Sequence, residues 1–218
     1  MKVKFLGHAC FRIEAADGAA VITDPYEPGG FGGAIGYGKI TEPADLVLIS
    51  HDHADHNYAQ GVPGNPRVLK GDGPQTIKGI EVRWVKAFHD PNQGAQRGTV
   101  NIPILTVDGV RICHCGDLGH VLELREVSAL GPVEVLLVPV GGLYTIDAKE
   151  ATVLVERIKP RVVIPMHFKT EKCGFPLAKV EEFLRGKQNV VRTAGSELEL
   201  TKELLPTETE IVVLNPAL

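Results

Sequence analysis

What the chain is short of narrows its role before any motif is read. Four cysteines in 218 residues fall far below the density of a disulfide scaffold and suit a reducing compartment. The opening Met1-Lys2-Val3-Lys4-Phe5-Leu6 already reads as a strand and lacks the long apolar core of a secretion signal. Together these set the expectation of a cytoplasmic protein. No apolar run approaches the ~18–20 residues that cross a bilayer, so a membrane is not an expected partner. Basic charge is also in deficit, with 23 Lys and Arg against 27 Asp and Glu, a net charge of −4 and a pI near 6.1. The basic residues are scattered rather than clustered, so nucleic acid is not an expected partner either. No G-x-S-x-G occurs and no cysteine has an evident partner base, which leaves no serine or thiol nucleophile to build on.

What the chain has instead is glycine, proline and short apolar runs. Twenty-four glycines and fifteen prolines within a 44% hydrophobic sequence indicate a loop-rich α/β protein with a sizeable core. Strands are predicted at 2–6, 10–15 and 19–23, with Asp17-Gly18 as a hairpin turn. Further strands are expected at 46–49, 68–69, 80–87, 99–107, 111–115, 134–138, 161–165, 190–192, 198–200 and 211–214. Helical patterns fall at 121–130, 148–158 and 177–184, with a short helix beginning near Asn57. Asp147 and Glu150 have capping-box spacing ahead of the middle pattern. No linker or low-complexity tract interrupts the series, so residues 1–218 read as one mixed α/β domain. The glycine-rich stretch Tyr26–Gly38 reads either as a loose, mobile surface connection or as a lid carrying Phe31 and Tyr37 beside a pocket.

The chain is organised around Ser50-His51-Asp52-His53-Ala54-Asp55-His56-Asn57, which directly follows the apolar run Leu46–Ile49. A buried strand there would deliver the polar burst at its carboxyl end. His51 and His53, two apart, point the same way while the chain stays extended, and Asp55 and His56 follow in the turn. Imidazole and carboxylate are ligands for zinc, manganese or iron. Four such donors could close around one ion or be shared between two, and sharing needs more donors. His89, Asp117 and His167 each stand at the predicted carboxyl end of an apolar strand, where strand ends converge on one edge.

The H-x-H-x-D-H spacing at 51–56 resembles the signature of the metallo-β-lactamase superfamily. Gly7-His8-Ala9-Cys10-Phe11, Cys115-Gly116-Asp117, Pro139–Thr145 and Ile164-Pro165-Met166-His167 follow in an order similar to that of its small metal-dependent hydrolases, a subgroup related to L-ascorbate-6-phosphate lactonase. The resemblance implies an αββα four-layer sandwich. It implies one metal on His51, His53 and His89, a second on Asp55, His56 and His167, and Asp117 bridging them. It implies two divalent ions, zinc or manganese with iron also compatible, and hydrolysis of a small ester or lactone by an activated water. Asp55 and Asp117 would be the catalytic carboxylates, Asp55 also orienting the water or taking its proton. The competing functions are a phosphodiesterase or nuclease on the same metal core and a non-hydrolytic iron or redox protein.

Outside the ligands, Tyr144 is a candidate substrate contact, or part of a loop leading into the helix capped by Asp147. Lys169 could meet an anionic group, and His120 could touch substrate. His8 would orient a ligand by hydrogen bond or serve the turn it sits in. His114, between Cys113 and Cys115, is expected to pack rather than ligate. The partner is expected to be a small molecule, and the oligomeric state is left open, a homo-oligomer included.

Overall fold

Short apolar runs, several of them buried along their whole length, build the sheets of the molecule, which a computed structural model describes over residues 1–218. The first sheet comprises β1 (Lys2–Gly7), β2 (Cys10–Glu14), β3 (Ala20–Thr23), β4 (Leu46–Leu48), β5 (Arg67–Leu69) and, returning from near the C-terminus, β13 (Glu197–Glu199), in the order β13-β1-β2-β3-β4-β5. The second comprises β6 (Gln75–Ile77), β7 (Ile80–Phe88), β8 (Thr99–Val107), β9 (Val110–His114), β10 (Val135–Pro139), β11 (Val162–Met166), β12 (Val190–Arg192) and β14 (Glu210–Val213), in the order β12-β14-β11-β10-β9-β8-β7-β6. In β4, Leu46 and Leu48 face the main core together with Val3, Phe5, Phe11 and Val21. Val47 and Ile49 face the other way, beside Leu6, Cys10 and Ile22.

The strands bearing candidate ligands run in the same direction. β9, β10 and β11 are mutually parallel, and β7 and β9 flank the antiparallel β8 and so also run alike. Residues just past β7, β9 and β11 therefore emerge at one edge. In the first sheet β3 and β4 are parallel neighbours, which sets Asp24 beside Ser50.

The two outer faces are covered differently. Helices α2 (Leu124–Leu130), α3 (Ala148–Ile158) and α4 (Val180–Leu184) pack against one another, with α2 on β7. Asp147 caps α3 by accepting from the N–H groups of Lys149 and Glu150, and Glu150 accepts from the Asp147 N–H. Over the first sheet, Val47, Ile49 and Ile22 are covered by loop residues, including Tyr26, Ile35, Tyr37, Val62 and Leu177. That layer contains only α1 (Gly30–Gly33), a single turn with Phe31 and Gly32 in left-handed conformation, and a 3-10 turn at Ala59–Gly61. The sandwich thus has two sheets and few helices.

Several sequence expectations shift for identifiable reasons. The helix expected near Asn57 is the short 3-10 turn. The helix expected from 177 starts at Val180, because the Ala178 backbone is bonded to Gly141 and Lys169. The pattern at 121–130 starts at Leu124, after a capping box between Glu123 and Glu126. An unforeseen strand, β6, pairs with β7 through the two-residue turn Lys78-Gly79, both at positive φ. The Tyr26–Gly38 stretch is no loose surface connection. Tyr26 and Tyr37 are buried, the Gly36 N–H donates to Lys172 O at 2.8 Å, and the Gly174 N–H donates to Ala34 O at 2.7 Å. Tyr37 packs in the loop layer against the first sheet with its hydroxyl 2.8 Å from Thr170 Oγ1, so it does not flank the pocket as expected. Only Phe31 reaches the rim.

Candidate metal centre

The chain leaves β4 at Leu48 and places His51 and His53 where their rings meet His89, just past β7. His51 Nε2 and His53 Nδ1 are 3.1 Å apart, and His53 Nδ1 and His89 Nε2 are 3.2 Å apart. Two nitrogens bound at ~2.0–2.1 Å to one tetrahedral ion would lie about 3.3 Å apart, so this trio already has ligand spacing.

A second group forms alongside. His56 Nε2 is 3.6 Å from Asp55 Oδ2, and His167 stands at the end of β11. Asp117, just past β9, lies between the two groups. Its Oδ2 is 3.8 Å from His51 Nε2 and 3.5 Å from His89 Nε2. Its Oδ1 is 3.1 Å from His56 Nε2 and 3.5 Å from His167 Nε2. One carboxylate thus addresses each cluster with a different oxygen.

The electrostatics suit cations. Burial pushes the His51 and His167 imidazoles down to about 3, and burial lowers His89 as well. These rings are neutral near pH 7, with lone pairs free to ligate. Burial opposes ionisation of Asp117, but the imidazoles of His167 and His56 outweigh it and hold the group well below the carboxylate range. At Asp55 burial is likewise outweighed, by His56 and by a hydrogen bond from His8. His56 is pushed down by burial yet held well above its ordinary value by Asp117 and Asp55, so the carboxylates draw positive charge to this point. His56 Nε2 and Asp117 Oδ1 are both buried and, apart from their own 3.1 Å approach, have no hydrogen-bond partner. Buried polar atoms are normally satisfied, and a divalent cation would satisfy both. The residues present fit a metal pair.

The rings are held from behind. Asp24, at 1% exposure, accepts from the Ser50 N–H at 2.7 Å and from Ser50 Oγ at 2.6 Å. Its Oδ2 also lies 3.0 Å from His56 Nδ1, and Ser50 Oγ lies 2.9 Å from His51 Nδ1. One carboxylate thereby orients a ring in each cluster. Asp24 was not singled out from the sequence. Its place at the end of β3, beside the strand carrying the His motif, was the available signal. His8 Nε2 lies 3.0 Å from Asp55 Oδ2, and the His8 carbonyl accepts from the His167 N–H at 2.8 Å, so His8 touches two members of the second group. His114 sits behind the site, with Nε2 2.7 Å from Ala9 O. All four cysteines are free and buried.

Two glycines make the close approach of the ligand loops feasible. A Cβ on Gly119 would stand 2.2 Å from the His89 carbonyl carbon, and one on Gly141 would stand 2.2 Å from His167 O.

A cleft of about 420 Å³ opens onto His53, Asp55, His89 and Asp117, walled by Phe31, Phe175, Tyr144 and Arg97. Tyr144 therefore lies where a substrate contact was expected. His120 and Lys169 do not. The Phe88 N–H donates to His120 Nε2 at 3.3 Å, which turns the ring into the backbone. Lys169 Nζ donates to the carbonyls of Cys173 and Phe175, so its charge pins a turn instead of facing the cleft. Arg97 was not singled out from the sequence, since it stands in a polar turn without periodic pattern.

Comparison with known proteins bears on this arrangement. A family model described as beta-lactamase superfamily domain matches residues 2–167, ending on His167. The UPF0173 metal-dependent hydrolase of Thermococcus kodakarensis is 34% identical, covering 92% of this chain and all of the relative. That of Pyrococcus abyssi is also 34% identical, with the same coverage. The crystal structure of a candidate zinc-dependent hydrolase of the metallo-β-lactamase superfamily from Thermotoga maritima is 37% identical. It superposes with a TM-score of 0.80 over 98% of this chain and 97% of that one.

Proposed function

The chain belongs to the metallo-β-lactamase superfamily, among its UPF0173 metal-dependent hydrolases, and we propose that it hydrolyses a small ester or lactone at a two-metal centre. His51, His53 and His89 would hold one ion, and Asp55, His56 and His167 the other, with Asp117 shared. The observation that carries the reading is the placement of Asp117, whose Oδ2 faces His51 and His89 while its Oδ1 faces His56 and His167. A pair of divalent ions would supply an acidified water and a Lewis acid for the carbonyl oxygen.

The chain's own residues supply the rest. Neutral His51, His89 and His167 offer lone pairs without a proton to expel. Asp55, beside His8 and open to the cleft, would orient the attacking water or take its proton. The aromatic side chains of Phe31, Phe175 and Tyr144 shed water from the approach, which strengthens every charge interaction inside. A mixed histidine and carboxylate set suits zinc or manganese, and iron as well. The lactone class follows from the motif similarity to the ascorbate-phosphate lactonase subgroup. A long phosphodiester fits less well, because one cation, Arg97, lines the cleft and nucleic-acid binding calls for several. A small-molecule substrate in a cytoplasmic setting is the reading that agrees with composition, and no helix is long and apolar enough to cross a membrane.

The test is metal analysis of freshly purified protein, coupled to a panel of lactones, esters and phosphodiesters with and without chelator. About two ions per chain and chelator-sensitive turnover of an ester or lactone are expected. Asp117→Ala and His51→Ala should lose turnover by three orders of magnitude or more while remaining folded. Full activity in either variant, or turnover indifferent to chelator, would overturn the reading.

A further inference from the structure

We infer that Arg97 is the specificity residue of this cleft, and that the substrate carries an oxyanion, carboxylate or phosphate, next to a flat apolar group. The inference rests on the hydrolase reading above and names the substrate class for that site.

Arg97 is the only lysine or arginine among the residues lining the cleft. No carboxylate pairs with it, whereas Asp52, the acidic residue at the mouth that takes no part in the metal clusters, is matched by Lys70 at 2.6 Å. The Arg97 guanidinium lies 5.5 Å from the centroid of the Tyr144 ring. A guanidinium stacked on an aromatic face keeps its edge N–H groups free, and that edge matches a carboxylate or phosphate bidentately.

The backbone beneath Arg97 is built rather than loose. Asp90 accepts from the N–H groups of Asn92, Gly94, Gln96 and Arg97 at 2.8, 3.1, 2.9 and 2.7 Å. The His89 N–H closes the same turn by donating to Gly98 O at 3.0 Å. The residue offering a ring to the metals thus starts the turn that presents the guanidinium, which fixes the spacing between reaction centre and anion site.

Tyr144 continues into an aromatic wall. Phe175 meets the Tyr144 ring edge-on at 6.1 Å and the Phe31 ring edge-on at 5.3 Å. Tyr144 is presented by Gly142-Leu143, both left-handed at φ 63 and 64. A leucine in that region stores strain, and strain of this kind gathers where a side chain must be aimed. A flat apolar body on this wall with its charged end at Arg97 would leave its scissile bond toward Asp55 and Asp117.

The probe is phenylacetate, one carboxylate beside one ring, compared with its neutral isostere phenylacetamide. Both are titrated calorimetrically into the protein as purified, its metal content measured. Wild type is expected to bind phenylacetate at least tenfold more tightly than the amide. Arg97→Gln should bring that ratio to within about threefold of unity with metal content unchanged, and Arg97→Lys should keep only part of it. Tyr144→Ala should weaken both probes, having lost the stacking surface. A carboxylate that merely sat on a metal would be held equally by wild type and Arg97→Gln, and that result overturns the inference. So does failure of wild type to prefer the anion. Because the readout is binding, the inference survives or falls independently of whether any ester in the panel is turned over.

Discussion

Replacing Asp24 by Asn changes almost no volume and tests how far a residue that touches no substrate controls the metal centre. The Asp24 carboxylate accepts from Ser50 N and Ser50 Oγ and faces His56 Nδ1. An asparagine must turn its NH₂ toward one side. Facing Ser50 N, it sets donor against donor. Facing His56, it donates to Nδ1 and moves the ring proton onto Nε2, the atom that points at Asp117. Either way one buried polar group is left unmatched, a cost of about 1–3 kcal/mol. That equals roughly a 5- to 160-fold loss of affinity, which brackets the ~10- to 100-fold found when a partner behind a metal ligand is removed. Because Ser50 Oγ can still accept from His51, the loss should fall on the group containing His56. Titration of the chelator-treated variant with zinc or manganese should show one site close to wild type and one weakened by that factor. Two sites of unchanged affinity would refute the assignment of Asp24 as the residue that sets the His56 tautomer.

Gly119→Ala should cost about 1–3 kcal/mol, the usual range for overpacking, and weaken metal at the His51–His53–His89 group. Its Cβ would meet the backbone of His89 and Asp90 at 2.2 and 2.3 Å; wild-type stability and metal titration together would sink that reading. The metal-free protein should lose stability on acidification. His51 and His167 are held near about 3 in the fold against ~6.5 when unfolded, so the unfolded state takes up protons first and stability falls as pH drops below that value. Each ring contributes about 1.4 kcal/mol per pH unit, on the order of 4 kcal/mol for the two at pH 5. His56, shifted upward, gains with acid and offsets part of this. Denaturant midpoints at pH 7 and pH 5 measure the net, and an equal or higher midpoint at pH 5 contradicts it. Lys169→Met should destabilise by about 1–3 kcal/mol through the freed carbonyls of Cys173 and Phe175. Its metal stoichiometry should stay at the wild-type value, and a fall in bound metal would argue against the purely structural role.

The meeting of the seven candidate donors at one edge was legible because ligation needs uncommon side chains at a position that periodicity can locate. Runs such as Leu46–Ile49 and Val162–Met166 announce strands, and a histidine or aspartate just past each is at a sheet edge whatever the pairing. The residues behind these side chains were harder to read. Asp24 also stands just past a predicted strand, but what it touches depends on β3 lying parallel to β4, a pairing that no local pattern encodes. Arg97 depends on Asp90 folding the turn back onto itself. Lys169 and His120 looked exposed and available in sequence, but each found a carbonyl or an N–H in a neighbouring segment that only the folded chain brings near.

The layer over the first sheet shows why glycine content alone left the course of Tyr26–Gly38 open. Phe31 sits at φ 52, a conformation costing a non-glycine residue about 1–2 kcal/mol, and the glycine content argues for mobility. Against that, Tyr26, Ile35 and Tyr37 are almost fully buried, each removing enough apolar surface for about 1.5–3 kcal/mol. They also seal Val47 and Ile49, the outward-facing residues of the strand that carries the histidine motif. Burial at three anchors outweighs strain at one tip, so the segment holds a single course while Phe31 projects at the rim. The Lys172–Phe175 segment, bonded to the same stretch through Gly36 and Ala34, brings Phe175 beside it. The aromatic wall of the cleft is therefore set by what the first sheet needs covered, and a substitution at Tyr37 should be felt at the substrate mouth although its ring never faces it.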